Sequence, residues 1–310
     1  MNTLLLIDGN AIMHRAYHAL PPFKTKSGIP TNAIYGFLSI LNKAIRDFQP
    51  HYIVVSFDTP VPTFRKKLFK EYKSHRPKME NELSAQFPII KEALDAAQIT
   101  HLEKEGYEAD DVIGTISRTF HTNGDRVLIL SGDKDILQLA NEKVFLVTPQ
   151  LGFGKQVIYS PDEVKKRFGI EPKQIPDFKA LMGDPSDNYK GAKGIGPKTA
   201  SKLLQEYGSL ENIFKKLKTI DGKIQKILED HKEQIYMSKQ LATILTDVEL
   251  NVNIQKTAFH GFDEHLKEFL KRYEMYSLIN RIFKERVKVS PSVKTSGDKP
   301  ADKQNQMDLF

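Results

Sequence analysis

The sequence contains no cysteine, which excludes disulfides, thiolate metal sites and cysteine nucleophiles together and fits a reducing compartment. Any metal must then be held by oxygen or imidazole. Long apolar runs are missing too: nothing approaches the roughly 18 consecutive apolar residues that a membrane helix needs. The apolar start Leu4 to Ile7 stops at Asp8 with no basic residue before it, unlike a signal peptide. We therefore expect a chain that is neither inserted in a membrane nor exported, and that works in the cytoplasm. Internal repeats are absent, and so is the acid spacing of an EF-hand loop. What is present is 310 residues, 40% hydrophobic and 27% charged. That is enough for one large or two modest domains with real cores, and unlike collagen, a coiled coil or a disordered chain. Forty-six Lys and Arg against 39 Asp and Glu give a net charge of +7, a mild basicity that favours a polyanionic partner such as nucleic acid.

Apolar, β-branched runs recur at Thr3 to Ile7, Tyr52 to Phe57, Arg126 to Ser131 and Val144 to Thr148, with helical-period stretches between most of them. That alternation predicts a mostly parallel α/β sheet flanked by helices. Thr31 to Phe48 spaces Ile34, Phe37, Leu38, Leu41 and Ile45 as a helix does, and Asn81 to Ala97 and Ala109 to Phe120 are further crossover helices. After about Pro161 the strand signals fade, and helices are expected at Pro161 to Phe168, Gln174 to Met182, Pro197 to Tyr207, Gly222 to Thr246, Phe262 to Tyr273 and Ser277 to Arg286. The reading is an α/β domain over 1–160, including a basic segment at about 64–80. An all-α domain follows over 161–286, with a glycine hairpin and helix at 191–207. Residues 287–303 mix Pro, Ser, Lys and Asp without periodicity and read as a flexible linker.

Three expected strands run straight into acids: Leu4-Leu5-Leu6-Ile7-Asp8, Ile53-Val54-Val55-Ser56-Phe57-Asp58 and Leu128-Ile129-Leu130-Ser131-Gly132-Asp133-Lys134-Asp135. The carboxyl ends of parallel strands share one edge, so these acids should converge. Glu108-Ala109-Asp110-Asp111 and Asp184-Pro185-Ser186-Asp187 complete a set of nine: Asp8, Asp58, Glu108, Asp110, Asp111, Asp133, Asp135, Asp184 and Asp187. Each alone has a plain reading, as a helix-start acid favoured by the macrodipole, a turn former or an N-cap. Gathered at one edge they repel, unless divalent cations neutralise them. All-oxygen ligation selects Mg²⁺ or Mn²⁺, and two such ions about 4 Å apart suit phosphodiester hydrolysis.

Phe64 to Lys78 carries Arg65, Lys66, Lys67, Lys70, Lys73, Arg76 and Lys78 against one acid, Glu71, with Phe64, Phe69 and Tyr72 interleaved. Cations for phosphates and aromatics for unpaired bases are what a single-stranded end requires; a solvated helix face is the plain alternative. Because the run begins six residues after Asp58, its charges are expected over the acids. Gly191 to Ala200 places glycines in a hairpin that opens a helix, with Pro197 at the first helical position. Its amides suit phosphate, although a tight turn between two helices would read the same. Lys193, Lys198 and Lys202 favour the phosphate reading. The last residues, Gln304-Asn305-Gln306-Met307-Asp308-Leu309-Phe310, put apolar side chains at the end of a polar tail.

Taken in order, Asp8-Gly9-Asn10, Gly106-Tyr107-Glu108-Ala109-Asp110-Asp111, Ser131-Gly132-Asp133-Lys134-Asp135 and Gly183-Asp184-Pro185-Ser186-Asp187-Asn188 resemble the motifs of the 5′ nuclease (flap endonuclease) family. The similarity is greatest to the 5′→3′ exonuclease domain of bacterial DNA polymerase I, and it covers about residues 1–286. The resemblance implies a PIN-like α/β fold with a C-terminal helix-hairpin-helix subdomain. It also implies that Asp8, Asp58, Glu108 and Asp110 bind a first Mg²⁺, and that Asp133, Asp135, Asp184 and Asp187 bind a second, some through water. Asp111 enters the metal set in a supporting part. In the basic run, taken as a helical arch, Lys73 and Arg76 correspond to contacts with the scissile phosphate and Tyr72 to a contact with the end nucleotide. Arg65 and Arg15 are expected on DNA phosphates. Lys193, Gly194, Ile195, Gly196, Lys198, Thr199 and Lys202 form the duplex-gripping hairpin, where K⁺ can also bind. Members commonly carry Ile-Pro where this chain has Tyr189-Lys190. The tail resembles the bacterial sliding-clamp binding motif, with Gln304 and Gln306 as polar anchors and Met307, Leu309 and Phe310 as pocket-filling side chains.

The function so implied is a Mg²⁺-dependent, structure-specific 5′ nuclease acting on 5′ flaps and 5′ ends of DNA and RNA–DNA hybrids in replication and repair. It is expected to be a monomeric, nucleoid-associated, complete stand-alone protein that binds the sliding clamp. The rival readings are a PIN-like ribonuclease and a non-catalytic, clamp-associated junction binder.

Overall fold

Leu4, Leu5, Leu6 and Ile7 are all buried, because both faces of their strand are covered; a parallel strand in that position reads as an unbroken apolar run. The computed structural model describes residues 2–121, 125–149 and 157–284. In chain order the first half comprises β1 (Thr3–Asp8), α1 (Gly9–Ala19), α2 (Asn32–Phe48), β2 (Tyr52–Phe57), α3 (Phe64–Leu68), α4 (Asn81–Ser84), α5 (Gln86–Ala96), β3 (Thr100–Glu103), α6 (Ala109–His121), β4 (Arg126–Leu130), β5 (Val144–Val147) and β6 (Ile158–Tyr159). The second half follows as α7 (Pro161–Phe168), α8 (Ile175–Met182), the short strands β7 (Gly183–Asp184) and β8 (Tyr189–Lys190), α9 (Pro197–Tyr207), α10 (Leu210–Lys215), α11 (Gly222–Asp230), α12 (Lys232–Ala242), α13 (Glu264–Arg272) and α14 (Tyr276–Phe283).

The central sheet has the order β3-β2-β1-β4-β5-β6. Its neighbours run parallel except for the β5–β6 edge pair, which is antiparallel. The register sets Asp8 beside Ser56 and Ile7 beside Leu130, so β1, β2 and β4 finish level and their following residues share one edge. Leu4 and Leu6 point into one core with α6 and the helical half, where Leu203, Leu204, Leu228 and Ile235 lie. Leu5 and Ile7 point into the other, among Phe37, Ile90, Phe269 and Leu278. The expected α/β architecture with a C-terminal helical portion is what the chain forms.

Four details differ from the sequence reading. The edge strand β3, Thr-His-Leu-Glu, is half-polar and short, so it carries no apolar run to find. Helix α1 begins at Gly9 directly after its own N-cap, Asp8, where the sequence reading placed no helix. The helix expected over Gly222 to Thr246 is two, broken at His231 and ending at Ala242. Finally, α13 and α14 do not stay with the helical half: Leu266, Phe269, Leu270, Leu278 and Ile279 pack beneath the sheet with Leu5 and Ile7. Among the described residues no helix is long and apolar enough to cross a membrane. The expected linker at 287–303 and the clamp-motif residues at 304–310 lie outside the described residues.

Candidate active site

The level strand ends place the first group of acids. Asp8 is buried; one carboxylate oxygen caps α1 by accepting the Ala11 N–H at 2.9 Å, and the other accepts the Ser131 hydroxyl at 2.8 Å. Asp58 accepts the Ala109 N–H at 2.7 Å, so it caps the start of α6, and its own N–H donates to Asn10 Oδ1 at 2.9 Å. The Asp133 N–H donates to Ser131 Oγ at 3.0 Å, and Asp133 Oδ1 accepts the Asp135 N–H at 2.8 Å. A cavity of about 450 Å³ is lined by Asp8, Asp58, Glu108, Asp110 and Asp133, together with Asn10, His14, Lys73 and Arg76. Burial, then the charges of Asp58 and Asp133, push Asp8 up to about 7 against its hydrogen bonds from Ala11 and Ser131. Burial, then Asp133 and Asp8, likewise hold Asp110 well above the usual carboxylate range.

A second cavity, of about 470 Å³, adjoins the first, lined by Asp133, Asp135, Asp184, Lys179, Phe168 and Phe178 among others. Asp135, Asp184 and Asp187 bring ligand atoms within 4.8 Å of one another. Asp133 lines both cavities. Burial pushes Asp135 up to about 6, with Asp133 adding to it and Lys179 opposing. In Asp184 burial is outweighed by Lys179 and by hydrogen bonds from Ser186, which leave it below its ordinary value. The loop bearing Asp184 and Asp187 is fixed by a close backbone approach. Gly183 has φ +80°, and a Cβ on Gly191 would stand 2.3 Å from the Gly183 amide nitrogen, so glycine is required at that crossing.

The basic segment lies on these acids and does not stand above them. After α3 the chain passes through turns over residues 70–76, and Lys73, at φ 52°, donates its N–H to the Asp187 carbonyl at 2.9 Å. Its ammonium is 3.0 Å from Glu108, and Arg76 donates to Asp187 Oδ1 at 2.6 Å. Tyr72, expected on the end nucleotide, is buried; its hydroxyl donates toward Asp187 at 3.0 Å and Glu108 at 3.3 Å, so here it props the acids.

Two assignments need correction. Arg65 is not on a DNA-facing surface: it is 2% exposed, its guanidinium donating to both oxygens of Asp111 at 2.7 and 2.8 Å and to the carbonyls of Leu241 and Thr243. Asp111, at 0% exposure, is correspondingly unavailable to a metal; its oxygens also accept the N–H groups of Glu108 and Leu245. A third expectation is narrowed, because the Ile195 side chain is buried in the core and only its backbone belongs to the hairpin. Gly194 (φ +104°), Gly196, Lys193, Lys198 and Lys202 are exposed, Thr199 is half-exposed, and Arg15 is exposed on α1.

Some residues escaped the sequence reading. Lys179 is half-buried on α8, where its ammonium bonds Asp135 and, at 2.5 Å, Asp184; the signal was a lone lysine among Ile175, Phe178, Ala180 and Leu181. Asn10 and Ser131 hold acids in place, as the residues flanking two motif aspartates. Gln138 donates to the carbonyls of Asp135 and Ala242 and accepts the Ile244 N–H, which nothing local in the sequence marks.

A doubly covered parallel sheet, clustered carboxylates in two adjoining cavities, and lysine and arginine on the acids are the features a phosphodiester-cleaving site needs. The family model for the 5′-3′ exonuclease N-terminal resolvase-like domain matches residues 3–169, and that for the 5′-3′ exonuclease C-terminal SAM fold matches residues 170–265. The chain belongs to the 5′-3′ exonuclease family, a family of metal-dependent nucleases. It is 41% identical to the 5′-3′ exonuclease of Aquifex aeolicus over 92% of this chain and 96% of that protein. It is 42% identical to DNA polymerase I of Bacillus subtilis over 90% of this chain, and it spans about a third (32%) of that polymerase. Among solved structures, the T5 D15 protein co-crystallised with metal ions superposes with a TM-score of 0.66 at 22% identity, covering 88% of this chain and 99% of that one. The catalytic core of Rad2 in complex with DNA substrate gives 0.61 at 16% identity, over 91% and 92%. At such identities these structures speak to the fold.

Proposed function

We propose that this chain is a structure-specific 5′ nuclease that hydrolyses phosphodiester bonds at 5′ flaps and 5′ ends of DNA and RNA–DNA hybrids, with Mg²⁺ or Mn²⁺ in two adjoining sites. The observation that carries the proposal is Asp133 lining both acid-walled cavities at the sheet edge. The donor set fits hard cations, since it is all carboxylate and burial, with the neighbouring carboxylates adding to it, raises the proton affinity of Asp8 and Asp110. Asp8, Asp58, Glu108 and Asp110 would hold one ion, and Asp133, Asp135, Asp184 and Asp187 the other. When bound, the pair supplies an activated water and charge stabilisation at the leaving oxygen. Lys73 and Arg76 border the same space and can exchange their carboxylate partners for a phosphate oxygen, placing positive charge where negative charge develops. The exposed hairpin amides and Lys193, Lys198 and Lys202 grip duplex backbone without reading bases, with K⁺ as a natural guest of the hairpin. Because the acids sit in recessed chambers, unpaired ends reach them more readily than paired ones.

The test is a single gel carrying a labelled 5′-flap DNA, a matched structured RNA and an EDTA lane. Flap cleavage that EDTA abolishes is expected. RNA cleavage in its place would turn the reading toward a ribonuclease, and intact flap with retained binding toward a non-catalytic junction binder. We further propose that the protein works as a monomer in the cytoplasm at the nucleoid, in replication and repair, tethered to the sliding clamp by Gln304, Gln306, Met307, Leu309 and Phe310. A tether raises local concentration without fixing orientation. Deleting residues 304–310 is expected to remove clamp binding in a pull-down and spare turnover on oligonucleotides; equal clamp capture by the shortened chain would retire the tether.

A further inference from the structure

We propose that the Tyr189 hydroxyl supports the cluster of Asp135, Asp184 and Asp187, its oxygen accepting a hydrogen bond from a water on a hydrated divalent cation held by those three acids. This rests on the two-cation reading above and adds a residue to it. Tyr189 is 2% exposed, and its hydroxyl oxygen is buried without a hydrogen-bond partner among the described residues. A buried hydroxyl left unpaired is costly, and in native proteins it goes with a water, an ion or a chemical role. The position of the ring says which. Asp184 and Tyr189 face each other across the β7–β8 ladder, so their side chains rise on the same face of that ribbon. Tyr72, Leu241 and Ala242 pack around the ring, which keeps the hydroxyl from swinging out to solvent.

The chemistry is complementary. A phenol is neutral near pH 7 and keeps oxygen lone pairs to offer. A small divalent ion keeps several of its waters, and each is a strong donor that needs an acceptor. The carboxylates serve the ion itself, whereas a phenol oxygen adds an acceptor without adding repulsion.

The experiment is a calorimetric titration of the full-length protein with Mn²⁺, wild type against Tyr189→Phe, with melting curves of both in EDTA. The phenylalanine variant is expected to bind one of two Mn²⁺ ions about 10-fold more weakly, the usual scale for a group that supports a metal's ligands. Its melting temperature in EDTA is expected to be unchanged or higher, because an unpaired buried hydroxyl has been removed. Equal Mn²⁺ affinity in the variant, or a lower melting temperature in EDTA, overturns the role of Tyr189. If the wild type itself takes up no Mn²⁺, the two-cation reading fails first, and the two failures are told apart in one data set.

Discussion

Replacing Asp133 and Asp135 together by alanine is expected to slow cleavage of a labelled 5′ flap by at least about 1000-fold, since stabilisation by metal ions is worth several kcal/mol and each 1.36 kcal/mol is tenfold. Junction binding measured by gel shift persists, because the hairpin lysines and Arg15 are exposed and line neither acid cavity. Asp133 is the sharper of the two positions. Its charge raises the proton affinity of Asp8, Asp110 and Asp135, so its field reaches the acids of both chambers. The milder Asp133→Asn keeps the Oδ1 acceptor that takes the Asp135 N–H while deleting one repelling charge. That variant should therefore melt higher than wild type in EDTA and yet lose most of its activity in Mg²⁺, the usual trade between stability and a strained site. Undiminished flap cleavage by the double variant would refute the assignment of these acids, and a lower melting temperature for Asp133→Asn would show that repulsion is not what the site stores.

How far such a site can be read from sequence depends on how local its signals are. The apolar runs of β1, β2 and β4, each followed by an acid, placed Asp8, Asp58 and Asp133 at one edge by a rule about parallel sheets alone. The carboxylates were legible because each sits at the boundary of an element whose pattern is strong. Arg65, by contrast, stands in a run of seven cations with identical local character. Its burial is decided by Leu241, Thr243 and Asp111, far along the chain, and composition cannot separate it from Lys66 or Lys67. Tyr72 and Tyr189 were hidden for the same reason: each is an aromatic in a polar segment until long-range packing of Leu241 and Ala242 encloses it. Lys179 was hidden for the opposite reason, because a single cation on an apolar helix is common, and only the fold turns it toward Asp135 and Asp184. The return of α13 and α14 to the sheet was invisible because an amphipathic stripe states that a face is buried, not which partner buries it.

The Arg65–Asp111 pair makes the strongest claim about stability. Both groups are almost wholly buried, and the pair ties three distant segments together: the start of the basic segment, the first turn of α6, and the end of α12 with the stretch after it, through Leu241, Thr243 and Leu245. Breaking a buried ion pair by removing one partner strands the other's charge and costs about 3–5 kcal/mol, so Arg65→Ala and Asp111→Ala should each lower the melting temperature by about 10 °C at 2–4 °C per kcal/mol. Replacing both, as Arg65→Met with Asp111→Leu, leaves no stranded charge and should recover much of that loss. Activity should not return with it. Asp111 also accepts the Glu108 N–H at 3.0 Å, and Arg65 leads the chain into Tyr72 and Lys73, so a leucine at 111 frees the acid that Lys73 and Tyr72 now hold. A melting scan of the four proteins beside flap-cleavage rates decides the matter. If Arg65→Ala melts like wild type and instead weakens DNA binding, Arg65 belongs on the DNA face after all, and the pair is not the joint that holds Glu108 in position.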